Sequence, residues 1–335
     1  MLWIQFAICA GLVVLVGTVL SRYADILAEK TGLGRSWVGA ILLAGATSLP
    51  ELATGISAVT VVGDVNLAAG GILGSCLFNL LLLALLDALS GRTPLLKRAE
   101  ISQVLAAGLG GVLLTGVMVS IYVSQTLRVP ALGWVGAPTL LIIGGYFISV
   151  RIISFFEKRR VQEVLEQQAA VYQYDAIPLW RAVVVFVGAA AAIAGLGLWL
   201  AALGEDITVA TGLGASFVGA IFLAITTSLP EVVASFAALR MGAVDLAVSN
   251  IFGSNIFNIV ALAVYDLAYV RGDMWRDLDA IHGFTAVAAA LMTALAIVGL
   301  VYQAAKKPRW RLSWDALFIA LGYAGSMYVI YQVTQ

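Results

Sequence analysis

The chain has 335 residues, of which 61% are hydrophobic and 11% charged, with equal numbers of acidic and basic side chains and a mean hydropathy of +1.00. A soluble domain carries about a quarter charged residues, so this composition excludes one, and with zero net charge no acidic or basic partner is implied. Mostly apolar runs long enough to cross a hydrocarbon core of about 30 Å recur along the whole chain. They lack the two-residue alternation of a membrane barrel, so the spans must be helices, whose backbone groups pair internally.

In chain order, helices are predicted at 3–28, 36–62, 65–90, 100–123, 133–156, 181–204, 215–240, 244–269, 281–303 and 313–333. The first lacks a basic leader and a small-residue cleavage site, and it reads as a true span. Cys9 and Cys76 fall in different apolar segments and read as buried thiols. Trp134, Trp180, Trp275, Trp310 and Trp314 are expected at span ends, as an aromatic belt requires. The polar stretch Glu157 to Pro178 separates five spans from five, which divides the chain into a first repeat (1–156), a linker (157–180) and a second repeat (181–335).

Internal repetition is the strongest signal. "TGLGRSWVGAILLAGATSLPE" at 31–51 and "TGLGASFVGAIFLAITTSLPE" at 211–231 are identical at 16 of 21 positions, at an offset of 180. The match resumes at an offset of 179, with "GSCLFN" at 74–79 against "GSNIFN" at 253–258. The positions of basic residues predict the orientation. With the N-terminus outside, the inner loops hold 16 Lys and Arg residues and the outer loops 3. Both termini are then outside and the linker is cytoplasmic. Five spans per repeat make the two copies inverted, an arrangement that places a substrate site at the midplane. The expected fold is an all-α polytopic membrane protein of ten transmembrane helices in two inverted five-helix repeats, with helices 2, 3, 7 and 8 interrupted.

Glu51 and Glu231 fall near the middle of the second and seventh spans, where a charge costs about 2.5–3.5 kcal/mol on insertion scales. No Lys or Arg lies at that depth, so a proton or a bound cation must compensate them. Pro50 and Pro230 precede the glutamates, and a mid-helix proline removes one donor and displaces the carbonyl four residues back. The carbonyls of Ala46, Thr47, Ala224 and Thr226 are candidates to face an ion there. Thr47 and Ser48 share a helical face with Glu51, Thr227 and Ser228 share one with Glu231, and Ser75/Asn79 and Ser254/Asn258 are spaced i, i+4. Every one of these is a hard oxygen donor. Calcium accepts six to eight such ligands, magnesium demands a tighter octahedron, and sodium suits the same donors. Gly70, Gly71, Gly74 and Gly253 are expected to let neighbouring backbones approach closely.

The paired "GATSLPE"/"GSCLFN" and "ITTSLPE"/"GSNIFN" motifs, with some sixty residues around each (31–90 and 211–270), resemble the two alpha-repeats of the sodium/calcium exchangers, and ten spans resemble their compact prokaryotic members. The resemblance implies calcium export driven by sodium entry through a cell (inner) membrane, with no cofactor and no obligate protein partner. It implies calcium ligation by Glu51 and Glu231 with the backbone oxygens of Thr47 and Thr227. It places sodium at Ser48, Ser75, Ser228 and Ser254 and at the carbonyls of Ala44 and Ala224, with Asn79 and Asn258 lining the centre. It also implies that the first and sixth spans slide against the rest. Some members carry aspartate where this chain has Asn258. With asparagine in both halves the cage holds two negative charges, so no potassium dependence is expected and no proton need reside at Asn258.

Other readings are open on the residues alone. A proton/calcium antiporter needs only the two glutamates, a channel can share paired inverted repeats, and an intramembrane aspartyl protease would use Asp87 and Asp266. Those two aspartates correspond between the repeats and read as helix-end anchors. Asp64 and Asp245 read as caps, Asp25 and Glu205 as solvated helix ends, and His282 as interfacial.

Overall fold

The computed structural model describes residues 1–127, 130–167, 173–211, 224–303, 307 and 312–334. The long helices, in order, are α1 (Leu2–Thr31), α2 (Arg35–Val62), α3 (Val65–Leu89), α4 (Ser102–Thr126), α5 (Ala137–Gln167), α6 (Leu179–Ala210), α7 (Leu229–Arg240), α8 (Val244–Ala268), α9 (Ala280–Tyr302) and α10 (Trp314–Thr334). Among the described residues nine of these are long and apolar enough to cross a membrane. The seventh span, predicted over 215–240, begins in residues outside those described.

The central helices are α3 and α8, with 72% and 83% of their most apolar windows buried, against 28% for α1 and α6 and 17% for α10. They pack on each other, α1 runs along α6, and α4 runs along α9. Contacts between other helices come in matched pairs. The α1–α7 contact is mirrored by α6–α2, α8–α4 by α3–α9, and α8–α5 by α3–α10. Each repeat thus uses equivalent faces to meet the rest of the bundle.

The helix ends carry the same correspondence. Asp87 accepts from the Leu95 N–H (2.7 Å) and the Ser313 N–H (2.8 Å), and it pairs with buried Lys307 at 3.2 Å. Its counterpart Asp266 accepts from the Met274 N–H (3.2 Å), the Gly136 N–H (3.0 Å) and the Thr139 hydroxyl (2.5 Å). Leu95 and Met274 open two matching four-residue helices, Leu95–Arg98 and Met274–Asp277. Both aspartates are therefore helix-end anchors. Their hydrogen bonds lie in separate clusters at different helix ends, so they do not form a catalytic pair. Asp64 caps α3, accepting from the N–H groups of Asn66 (2.9 Å) and Leu67 (3.0 Å). Asp245 instead accepts the N–H of Glu100 (2.6 Å), tying the chain before α4 to α8.

Several expectations are corrected. Helices α3 and α8 run unbroken, because neither contains proline and glycine alone does not interrupt a helix packed on all sides. Of the four glycines expected at close approaches, Gly253 is the one that lies against described backbone: a Cβ there would overlap Ala40 of α2. Among the described residues Gly71 and Gly74 have no neighbour within 4 Å and Gly70 meets the His282 ring at 3.4 Å, while Ala220, the counterpart of Ala40 and so the expected neighbour of Gly74, lies outside the described residues. Asp25 is buried rather than solvated, because Arg35 donates to it twice (2.5 and 3.2 Å) and Tyr174 of the linker donates once (3.0 Å). Burial and the Asp25 charge raise the Tyr174 pKa, which keeps its phenol a donor. His282 is also buried, bonded to the Asn66 side chain at 3.1 Å. Trp134, Trp180 and Trp314 are exposed as a belt requires, whereas Trp275 is fully buried. Its indole N–H donates to Thr139 (2.8 Å), which in turn holds Asp266, so this ring belongs to the anchor. Trp310 lies outside the described residues.

Candidate cation site

Helix α2 is interrupted where the sequence places its proline. A π-helical segment (Val38–Leu43) leads into Ala44–Thr47, and a new α-helical segment starts at Leu49 with Pro50 in its first turn. Single π-helical turns inside helices are frequent at functional sites. The junction residue is Ser48, at φ −90° and ψ 6°; its counterpart Ser228 has φ −85° and ψ 7°, ahead of Leu229 and Pro230. Proline is well tolerated in a first turn, where its missing N–H has no intrahelical partner. Each break thus starts a short helix whose first turn contains a glutamate and points partial positive charge into the bundle.

The two breaks meet. The Ser48 hydroxyl donates to Glu231 Oε1 (2.8 Å), and the Ser228 hydroxyl lies 3.2 Å from Glu51 Oε1 and 3.1 Å from the Ser75 hydroxyl. Each repeat's serine therefore holds the other repeat's glutamate. Thr47 lies beside Glu231, with its hydroxyl donating to the Ala44 carbonyl at 3.2 Å. Thr227 makes the matching bond to the Ala224 carbonyl at 3.1 Å. Those two carbonyls also accept the N–H groups of Ser48 (3.0 Å) and Ser228 (3.1 Å), so each is already used twice. Gly197 of α6 packs against both breaks: a Cβ there would overlap the Pro50 ring and lie 3.7 Å from Pro230.

Glu51, Glu231, Ser48, Ser228, Ser75, Ser254, Asn79 and Asn258 are all buried, none more than 4% exposed. Among the described residues, the buried side-chain atoms without a hydrogen-bond partner include Oε2 of both glutamates, Asn79 Oδ1, the Ser254 hydroxyl and both amide atoms of Asn258. A buried polar atom without a partner is expensive, and five residues with such atoms belong to the same predicted donor set. Two carboxylates with hydroxyl and amide oxygens around them suit a hard cation.

Two further residues complete the centre. Tyr265, fully buried on α8, donates its hydroxyl to the Glu51 carbonyl (2.8 Å), and Gly55 leaves room for its ring. Asn255 accepts from Asn79 Nδ2 (3.1 Å) and donates to the Cys76 carbonyl (3.3 Å). Repeat matching passed over both, because the first repeat has Leu86 and Cys76 at the corresponding places. That difference between otherwise matching segments is the signal that could have found them.

Fold and site together define a polytopic membrane protein built around a buried cluster of oxygen donors, an arrangement that fits a cation antiporter. The sodium/calcium exchanger protein family matches residues 1–154 and 181–332, so the chain belongs to the sodium/calcium exchanger family, a family of transporters. It is 30% identical over 274 residues to the putative antiporter CaxA of Alkalimonas amylolytica, spanning 76% of this chain and 78% of that protein. It is 27% identical over 248 residues to the inner membrane protein YrbG of Escherichia coli (strain K12), covering 71% and 70% of the two chains. In fold it is similar to the sodium-calcium exchanger NCX_Mj soaked with 10 mM Na+ and zero Ca2+, at a TM-score of 0.70 and 16% identity over 98% and 99% of the two chains. The same exchanger soaked with 2.5 mM Na+ and 10 mM Sr2+ gives a TM-score of 0.69 at 18% identity, with both chains fully covered.

Proposed function

We propose that this protein exchanges sodium for calcium across a cell membrane by alternating access, using sodium entry to export calcium. The observation that carries the reading is the reciprocal lattice, in which Ser48 holds Glu231 and Ser228 holds Glu51. Two carboxylates match the charge of one divalent ion, and Asn79 and Asn258 add no charge. The same oxygens, with Ser75 and Ser254, suit monovalent sodium when calcium leaves. Because both cargoes need the same carboxylates, they compete, and that competition is the basis of exchange.

The proposed topology has ten spans in two inverted repeats joined by a cytoplasmic linker, with both termini outside. The matched helix contacts and helix-end anchors support it. The sliding element is the α1–α6 pair, which is packed together and largely exposed on its outer side. Gly17 and Gly197 stand at equivalent positions on its inner face. A Cβ on Gly17 would come to 2.8 Å from Val233, and one on Gly197 would overlap Pro50. Small residues there give the pair a smooth surface over both helix breaks.

The testing experiment is calcium uptake into proteoliposomes loaded with sodium, compared with vesicles carrying only a proton gradient of equal size. Uptake that requires internal sodium is expected. Uptake driven by protons and indifferent to sodium would replace this reading with a proton/calcium antiporter using the same two glutamates, and flux far above transporter turnover would indicate a channel.

A further inference from the structure

Asn255 is 2% exposed and sits behind the cation site, on the same helix as Ser254 and Asn258. Its two hydrogen bonds form a chain whose direction is fixed at one end. A backbone carbonyl oxygen can only accept, so Asn255 must turn its Nδ2 toward the Cys76 carbonyl (3.3 Å) and its Oδ1 toward Asn79. Asn79 must then present its own Nδ2 to Asn255, at 3.1 Å. What is left at the free end is Asn79 Oδ1, buried and without a hydrogen-bond partner among the described residues. An amide free to turn would offer a cation either an oxygen or an N–H, and the N–H repels it.

We propose that Asn255 is a positioning residue that fixes the sense of the Asn79 amide, so that Asn79 offers the transported ion only its oxygen. The inference rests on the cation site proposed above. It also makes the two central asparagines inequivalent. Asn258 is the counterpart of Asn79, but the Cys76 thiol stands against it where Asn79 has an amide. A thiol is a weak hydrogen-bonding group, and among the described residues neither amide atom of Asn258 has a hydrogen-bond partner of normal geometry. Asn79 is the fixed oxygen donor and Asn258 the one free to turn as the cargo changes.

The test is a double-mutant cycle read on the KM and kcat of calcium uptake. Asn255→Leu keeps the branching at Cγ and the number of heavy atoms, and removes both amide bonds. In the wild-type background it is expected to raise the calcium KM about 10-fold, with kcat changed by less than about threefold. In an Asn79→Ala background, where no amide is left to orient, the same change is expected to move KM by less than about twofold. Equal rises in both backgrounds would show that Asn255 acts through packing and would overturn the proposal, as would an unchanged KM in the wild-type background. If Asn255→Leu does not fold, Asn255→Ser, too short to span Asn79 and Cys76, runs the same cycle. If Asn79→Ala transports too slowly, equilibrium binding of radioactive calcium replaces KM. Glu51→Gln measured alongside separates the two failures: its loss of uptake with an inert Asn255 defeats only this inference, whereas its retention of uptake defeats the site itself.

Discussion

The two halves of the cage agree at one level and differ at the next. The residues that would touch the ion are paired across the repeats: Ser48 with Ser228, Glu51 with Glu231, Ser75 with Ser254, Asn79 with Asn258. The residues that hold them are not. Behind Asn79 stands an amide, Asn255, and behind Asn258 a thiol, Cys76. The Glu51 carbonyl receives the Tyr265 hydroxyl, while Leu86 occupies the equivalent place in the first repeat. Two copies of one motif supply matching donors, while the groups that hold those donors differ. The comparison separates residues whose loss should be equivalent in the two halves from residues whose loss should affect one half only.

The largest expected effect tests the equivalence. Glu51→Gln and Glu231→Gln should each reduce calcium uptake by at least about 100-fold, because either change removes half the charge that the proposed site offers a divalent ion in a water-poor interior. A tenfold gap between the two variants would break the symmetry of the cage. Ser48→Ala and Ser228→Ala come next. Each removes a hydrogen bond to a carboxylate, worth about 1.5–3 kcal/mol, so each should raise the sodium concentration for half-maximal exchange roughly 10-fold or more. Gly197→Val should leave equilibrium calcium binding within about twofold and slow turnover several-fold, since the added side chain obstructs α6 at Pro50; measuring binding and flux on the same preparation checks this. The smallest effect belongs to the asymmetric support. Tyr265→Phe loses one neutral hydrogen bond, about 1 kcal/mol, and should change uptake by no more than about fivefold, with Leu86→Phe having no corresponding effect on the calcium KM.

Much of this was legible in the sequence because the chain states its central motif twice. Glutamate after proline in an apolar run has no bland explanation when it recurs at an offset of 180, and the structure brings those two segments together. The anchoring role of Asp87 and Asp266 was legible for the same reason. Burial of isolated charges was not. Asp25 reads as a helix end, and only its bonds to Arg35 and Tyr174, 10 and 149 residues away in sequence, show why it can be buried. Trp275 was misplaced because its position at a span end says nothing about which way the ring faces. Asn255 and Tyr265 were missed because repeat matching rewards sameness, and their contribution lies in being different.

The central claim is that one cage, closed by both repeats, holds either calcium or sodium. Equilibrium binding of radioactive calcium to the purified protein, titrated with sodium, tests it most directly. One calcium ion per chain, displaced completely as sodium rises, is the expected result. Calcium that stays bound at saturating sodium would contradict it.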